Sequence, residues 1–430
     1  MLPPCIPAIF LPLDQGDNEM GIPRIAVVGM GGFARTHHQY VQSVEEAGLG
    51  RQVAQVAIAA DQAAYADDLK DLEGRGVHVF ASLREMLAQA REEIDVVCIP
   101  TGIPLHRPMA IAALEADCNV LVEKPAAGSI QDVDAMLAVE AKSNGFCAVG
   151  YQHAYSPDYL RVKELVCSGK LGRIKEVRAF GCWPRDPSYY GRNGWAGQLA
   201  VGDTWVLDSP HNNALAHAVN IMCIMASAQE GKALQPLAVQ AELYRANAIE
   251  SADTVALRAE TDEGVNLFFA VSHCTEETVH PIFVVRGDKG EVELDYFGGA
   301  QVRYTDGETE EWKSADAGPL VLENVVKAIA GQGDLLCPLA LTRAQTLCVC
   351  GTFESSPIHP LPQELQRVEE GGRIAVEGMT ALVMKAWQEA ALFSELGVEW
   401  ARAGRRITMD DYAYFPTFRP AVGLPMAGDS

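Results

Sequence analysis

The sequence predicts two joined folds: a doubly wound α/β domain at about residues 22–150, then an α+β domain with an open, mostly antiparallel sheet at about 151–404. Three observations carry this. Up to Gly150, short β-rich runs alternate with amphipathic segments, the sequence form of a βαβ parallel sheet. After Tyr151, strand-like runs follow one another with only turns between them, which indicates antiparallel pairing. A length of 430 residues, 48% hydrophobic and 21% charged, supports two or three domains with sizeable cores.

In the first half the β-rich runs are Arg24–Gly29, Val53–Asp61, Val77–Phe80, Ile94–Pro100, Asn119–Glu123 and Phe146–Gly150. Helical patterns at 82–93, 106–117 and 129–145, with apolar residues recurring at three and four, fall between them. In the second half the runs are Ile174–Phe180, Val239–Ala246, Thr254–Glu260, Val265–His273, Pro281–Arg286, Glu291–Phe297 and Gln301–Tyr304. Thr261–Gly264 and Gly287–Gly290 suit hairpin turns. Helices are expected at about Val321–Ala330, Thr342–Phe353 and Glu377–Leu396. Residues 1–21 read as a loose leader without the basic start of a signal peptide, and 405–430 as an aromatic, proline-bearing tail.

Charge and cysteine usage narrow the partners. With 34 basic and 57 acidic side chains the net charge is −23, so a polyanion is repelled and nucleic acid is not an expected partner. No apolar run approaches the ~20 residues that span a bilayer, so no membrane is expected either. Eleven cysteines without repeating spacing read as reduced thiols in a cytoplasmic compartment. Cys348-x-Cys350 lacks zinc-site spacing, so both are expected in the core and no metal is expected.

The turn Gly29-Met30-Gly31-Gly32-Phe33-Ala34 leaves the first strand and opens a helix, where a dinucleotide-binding turn belongs. The first glycine makes the tight turn, the second lets backbone approach a pyrophosphate, and the third small residue, Ala34, lets helix and strand pack. Asp61, read as the end of the second strand, offers a carboxylate to a ribose 2′-hydroxyl and repels a 2′-phosphate, which favours NAD over NADP. The bland alternative is a glycine turn with Asp61 as a helix cap. Pro100-Thr101 ends the fourth strand and Glu123-Lys124-Pro125 the fifth, so all of them face the crevice at the carboxyl ends of the strands. A lysine there can hold a substrate hydroxyl, and Pro125 is compatible with a cis bond. Taken alone, such a tripeptide is an ordinary surface turn.

Together these residues resemble the Gfo/Idh/MocA family, the glucose-fructose oxidoreductase and inositol dehydrogenase group. The likeness runs through Arg24–His38, Ile94–Pro125 and Gly169–Val177. It implies a Rossmann domain that holds NAD(P) through Gly29, Gly31 and Asp61, with Lys124 touching the reacting hydroxyl. It further implies a second-domain sheet that lines the substrate pocket and forms a homo-oligomer interface. The family closes its site with an Asp-x-x-x-His pair and a further acidic residue three positions on. Aligning His217 on that histidine puts Asn213 at the aspartate and Asn220 three after it. A rival register puts Asp208 on the aspartate, with Asn212 fourth after it and His211 one early. The first keeps the histidine spacing, making Lys124, His217 and Asn213 the expected catalytic group.

Cys182–Trp205 packs three Trp, two Tyr and two Arg into 24 residues. Aromatic faces suit the C–H faces of a sugar ring, and Arg or Asn suits its hydroxyls or an attached carboxylate. Arg185, Arg192, Asn193, His211 and His153 are therefore expected near substrate, although such a loop can also merely cover a sheet, and His211 can be a loop histidine bonded to backbone. The expected activity is NAD-dependent hydride transfer to or from a hydroxyl-bearing carbon of a sugar, cyclitol or related polyol. Two alternatives share the fold: an enzyme using NAD transiently in a non-redox reaction such as glycoside cleavage, and a non-catalytic ligand sensor.

Overall fold

Runs that are apolar on both faces become strands buried on both sides of a parallel sheet. In the computed structural model, which describes residues 21–314 and 320–418, these are β1 (Arg24–Val28), β2 (Arg51–Val56), β3 (His78–Phe80), β4 (Val96–Ile99), β5 (Asn119–Val122) and β6 (Cys147–Val149). Residues 1–20 of the expected leader and 419–430 of the expected tail lie outside the described residues. The strand order is β3-β2-β1-β4-β5-β6, all parallel. The chain reverses its direction of winding between β1 and β4, and there a crevice opens at the carboxyl ends. Helices α1 (Ala34–Glu46), α2 (Ala59–Ala64), α3 (Ala66–Gly74), α4 (Leu83–Ala90), α5 (Ile103–Glu115) and α6 (Ile130–Glu140) connect the strands.

One boundary differs from the expectation. The second strand stops at Val56, and Asp61 lies in the first turn of α2 instead of ending the strand. The cause is local: Ala59, Ala60, Ala63 and Ala64 favour helix and give a strand nothing to pack.

In the second domain α7 (Pro157–Cys167) leads into β7 (Ile174–Cys182), the short α8 (Pro187–Tyr190), the small hairpin β8 (Ala200–Val201) with β9 (Thr204–Trp205), and the fully buried α9 (Ala216–Ala226). Then come β10 (Pro236–Arg245), β11 (Thr254–Thr261), β12 (Asn266–Ser272), β13 (Val279–Gly287), β14 (Gly290–Asp295), β15 (Gly299–Tyr304) and β16 (Thr309–Lys313). After them lie α10 (Leu320–Ile329), α11 (Leu339–Ser355), β17 (Ile358–Pro360), β18 (Gln366–Val368), β19 (Ile374–Val376), α12 (Met379–Glu389) and β20 (Ile407–Thr408). The large sheet runs β16-β15-β14-β13-β7-β12-β11-β10-β17, antiparallel except at β12/β7 and β10/β17, with β20 paired to β10.

The inner face of this sheet packs on α9 and α11, in one continuous core with the first domain. Part of the outer face, expected to be open, is covered by the chain itself. Helix α12 lies over β7 and β12, where Phe180, Phe268 and Tyr244 meet Val383, Ala386 and Phe393. The expected helix Glu377–Leu396 breaks at Ala390, whose φ of +49° ends α12 before a separate turn at Phe393–Leu396. Cys348 and Cys350 are buried in the core, and all ten described cysteines are free thiols. No helix among the described residues is long and apolar enough to cross a membrane.

Candidate active site

The carboxyl ends of β1, β4 and β5 open onto one cleft of about 680 Å³. From the first domain it is lined by Gly29–Ala34, Asp61, Pro100–Ile103, Glu123 and Lys124. From the second it is lined by Arg185, Tyr189, Arg192, Asn193, Trp195 and Asn213. Gly29 turns the chain out of β1 at φ +95°, a conformation that disfavours any side chain. A Cβ on Gly31 would sit 2.7 Å from the Tyr65 hydroxyl, so the space above this turn is already shaped by α2 and its neighbours. Helix α1 begins at the same turn with no acidic residue in its first turn, which leaves its positive end free for an anion. A bare helix N-terminus on a glycine turn, with a carboxylate at Asp61 on the same cleft, fits a dinucleotide.

Lys124 stands on the turn after β5, and its bond to Pro125 is cis. His106 joins this turn to the Pro100–Ile103 segment: its ring nitrogens face the Pro125 carbonyl at 2.8 Å and the Thr101 carbonyl at 2.9 Å. Glu123 points behind the turn, pairing with His37 at 3.0 Å and accepting from the Lys124 backbone N–H at 3.1 Å. The Lys124 Nζ donates to the Asn213 carbonyl at 2.9 Å and to Asn213 Oδ1 at 3.1 Å. Asn213 Nδ2 in turn donates to Asp208 Oδ1 at 2.7 Å. Asp208 Oδ2 accepts from the Gly197 N–H at 2.6 Å and lies 3.6 Å from Arg192. Burial lowers the Lys124 pKa, against the pull of Glu123 and Asp208. Burial raises that of Asp208, against the Gly197 N–H, Arg192, Asn213 and Lys124.

The expected histidines divide. His217 is buried one helical turn beyond Asn213, edge-on to Tyr151 and 4.7 Å from the His153 ring, with its Nδ1 unpartnered. Burial first, then His153 and Lys124, hold its pKa far below the usual histidine value. Neither His217, expected to be catalytic, nor His153, expected near substrate, lines the cleft; His153 bonds the Tyr296 carbonyl at 3.1 Å, and burial pushes its pKa down to about 4. His211, expected near substrate, is fully buried behind the cleft, stacked on Phe353 and bonded to Ser209 Oγ at 3.0 Å. The reason is the turn at Ser209–Leu215, which directs Asn213 to Lys124 and His211 the other way, into α11. Of the loop residues, Arg185, Arg192 and Asn193 reach the cleft, whereas Trp205 packs beneath it against Phe415. Tyr189 and Trp195 also line the cleft, and the aromatic density of the loop is their signal in the sequence.

Two family descriptions match this chain: the oxidoreductase family with NAD-binding Rossmann fold over residues 23–151, and the GFO/IDH/MocA C-terminal domain over 159–293. Together they take in more than half of the chain, which belongs to the Gfo/Idh/MocA family of NAD-binding oxidoreductases. Among individual relatives, the 4-carboxy-2-hydroxymuconate-6-semialdehyde dehydrogenase of Sphingobium sp. is 25% identical over 55% of this chain and 69% of its own. The inositol 2-dehydrogenase of Rhodococcus erythropolis is 33% identical over 28% of this chain and 33% of its own. Three of the first four curated relatives are matched over only 19% to 33% of their own length. The WlbA dehydrogenase of Bordetella pertussis, solved with NADH and UDP-GlcNAcA, shares the fold at a TM-score of 0.62 and 22% identity, covering 77% of this chain and 95% of that one.

Proposed function

We propose that this protein is an NAD-dependent dehydrogenase acting on a hydroxyl-bearing carbon of a sugar, cyclitol or related polyol. The observation that carries the reading is that one cleft brings the glycine turn, Lys124 with Asn213, and an aromatic and cationic second-domain wall into reach of one another. Relatives named for inositol support the substrate class.

Gly29–Ala34 and the start of α1 are the residues to hold the pyrophosphate, and Asp61 the adenosine ribose. Bound NAD supplies the hydride acceptor. The chain itself must manage the hydroxyl proton and exclude water. Nζ spends two N–H bonds on Asn213, which leaves its remaining valence for substrate: a third N–H when charged, a lone pair when neutral. Desolvation favours the neutral amine, so Lys124 suits the task of taking the proton, with His217 behind it as the neutral imidazole of the second domain. Asp208 fixes the Asn213 amide, because only one orientation lets Nδ2 donate to the carboxylate while Oδ1 accepts from Lys124.

The same reading puts the protein in a reducing, cytoplasmic setting, supported by the unpaired thiols of its ten described cysteines, and in a homo-oligomer. The side of the outer face left by α12 carries Glu176, Arg286, Glu291 and Arg303 in alternating sign, which suits a symmetric partner surface. Mass spectrometry of the co-purified nucleotide, followed by a sugar and polyol panel read at the NADH absorbance, tests the activity. Retained NAD without net NADH from any substrate would favour transient oxidation instead. Light scattering tests the oligomer.

A further inference from the structure

We propose that the cleft contains a carboxylate-binding subsite centred on Arg185, and that the substrate is an acidic sugar or polyol, one bearing a carboxylate. This rests on the dehydrogenase reading above and names its substrate class. Three cationic side chains line the cleft: Lys124, Arg185 and Arg192. Two of them already have protein partners, Lys124 in Asn213 and Arg192 in Asp208. Arg185 differs. No acidic side chain among the described residues forms an ion pair with it, and its Nε is buried without an acceptor.

The surroundings hold this guanidinium ready for a ligand. Its backbone N–H is fixed to the His273 carbonyl at 3.1 Å, anchoring the segment that leaves β7. The guanidinium sits 5.3 Å from the Trp183 ring centre and 4.8 Å from that of Tyr189, and the Arg192 guanidinium lies 3.8 Å from the same Tyr189 ring centre. Tyr189 also engages the guanidinium by a side-chain hydrogen bond; no carboxylate among the described residues occupies the fork, and the aromatic rings restrict it, which leaves N–H groups for a planar, two-oxygen acceptor. A buried donor without an acceptor is costly, so an unpaired Nε in a substrate cleft indicates that the ligand completes it. The chain as a whole carries −23, so this is a local site for an anion and not part of a general attraction. A cofactor pyrophosphate has its own donors at Gly29–Ala34 on the opposite domain. Trp195 packs closely on Gly102 of the facing wall: a Cβ on Gly102 would lie 2.5 Å from its indole nitrogen.

The test titrates the NAD-loaded protein calorimetrically with D-glucuronate against D-glucose and D-galacturonate against D-galactose, and reads NADH in parallel. At least one acid should bind about tenfold or more tighter than its neutral counterpart. Arg185→Gln should abolish that ratio and Arg185→Lys should keep part of it, while the NAD dissociation constant stays within about twofold. Equal binding of acids and neutral sugars by the unaltered protein overturns the subsite, as does an Arg185→Gln loss that falls equally on NAD. Tight acid binding with no NADH formed keeps the subsite and sinks the dehydrogenase reading. NADH from neutral sugars with no preference for acids does the reverse.

Discussion

Lys124 and Asp208, from different domains, are joined through a single amide: Asn213 accepts from Nζ at 3.1 Å and donates to the carboxylate at 2.7 Å. The carboxylate thus supports the charged form of the lysine without touching it. Asp208→Asn removes that support, so the Lys124 pKa should fall further. If neutral Lys124 takes the proton, activity rises with pH through this pKa, and the acid limb of kcat/KM should move to lower pH. Asn213→Asp should move it upward, since a carboxylate then lies directly against Nζ. A limb that stays fixed in both variants would separate the lysine from the proton transfer.

Lys124→Ala should lower kcat by on the order of 10² or more with NAD affinity nearly unchanged, because Nζ faces Asn213 and the substrate side while the glycine turn is separate. Lys124→Arg should fail to rescue, since a guanidinium does not release a proton near neutral pH. Parallel NAD titrations and steady-state rates decide this, and equal loss of cofactor binding would make the residue structural.

Asp61→Ala should weaken NAD and narrow its advantage over NADP, through loss of a ribose acceptor and of a charge that repels a 2′-phosphate. Gly31→Val should abolish binding for two reasons, since its side chain meets the Tyr65 hydroxyl as well as the cofactor. Fluorescence titration with both nucleotides measures each effect.

What the sequence made legible follows from the range of the forces involved. The glycine turn, the strand ends at Pro100 and Glu123, and most second-domain strands are local patterns, and they fall within a few residues of expectation. β16 is not legible because Glu310, Glu311 and Lys313 conceal its alternation. The cover supplied by α12 was not legible, since it depends on residues 379–389 meeting β7 some 200 positions earlier. The Asp208 and Asn213 registers looked like rivals because one-dimensional spacing allows only one carboxylate position. The turn between them uses both, placing Asn213 on the lysine and Asp208 on the amide.

His217 and His211 separate chemistry from stability. His217 is also buried but neighbours His153 and Lys124, so His217→Ala should lower Tm and, in addition, reduce kcat strongly. His211 is stacked on Phe353 and bonded to Ser209, on the side of the turn away from Lys124, so His211→Ala should lower Tm while sparing kcat relative to the His217 variant. Burial pushes the His211 pKa down to about 3, below the unfolded value of ~6.5. The unfolded chain therefore takes up the proton first, and the stability linked to the neutral ring is complete above ~6.5 and lost as pH falls toward 3. His211→Ala should accordingly flatten the loss of Tm across that window, even though its Tm at neutral pH is lower. Thermal melts from pH 7 downward, alongside kcat for both variants, check the two roles. A larger kcat loss from His211→Ala than from His217→Ala would overturn this division of roles.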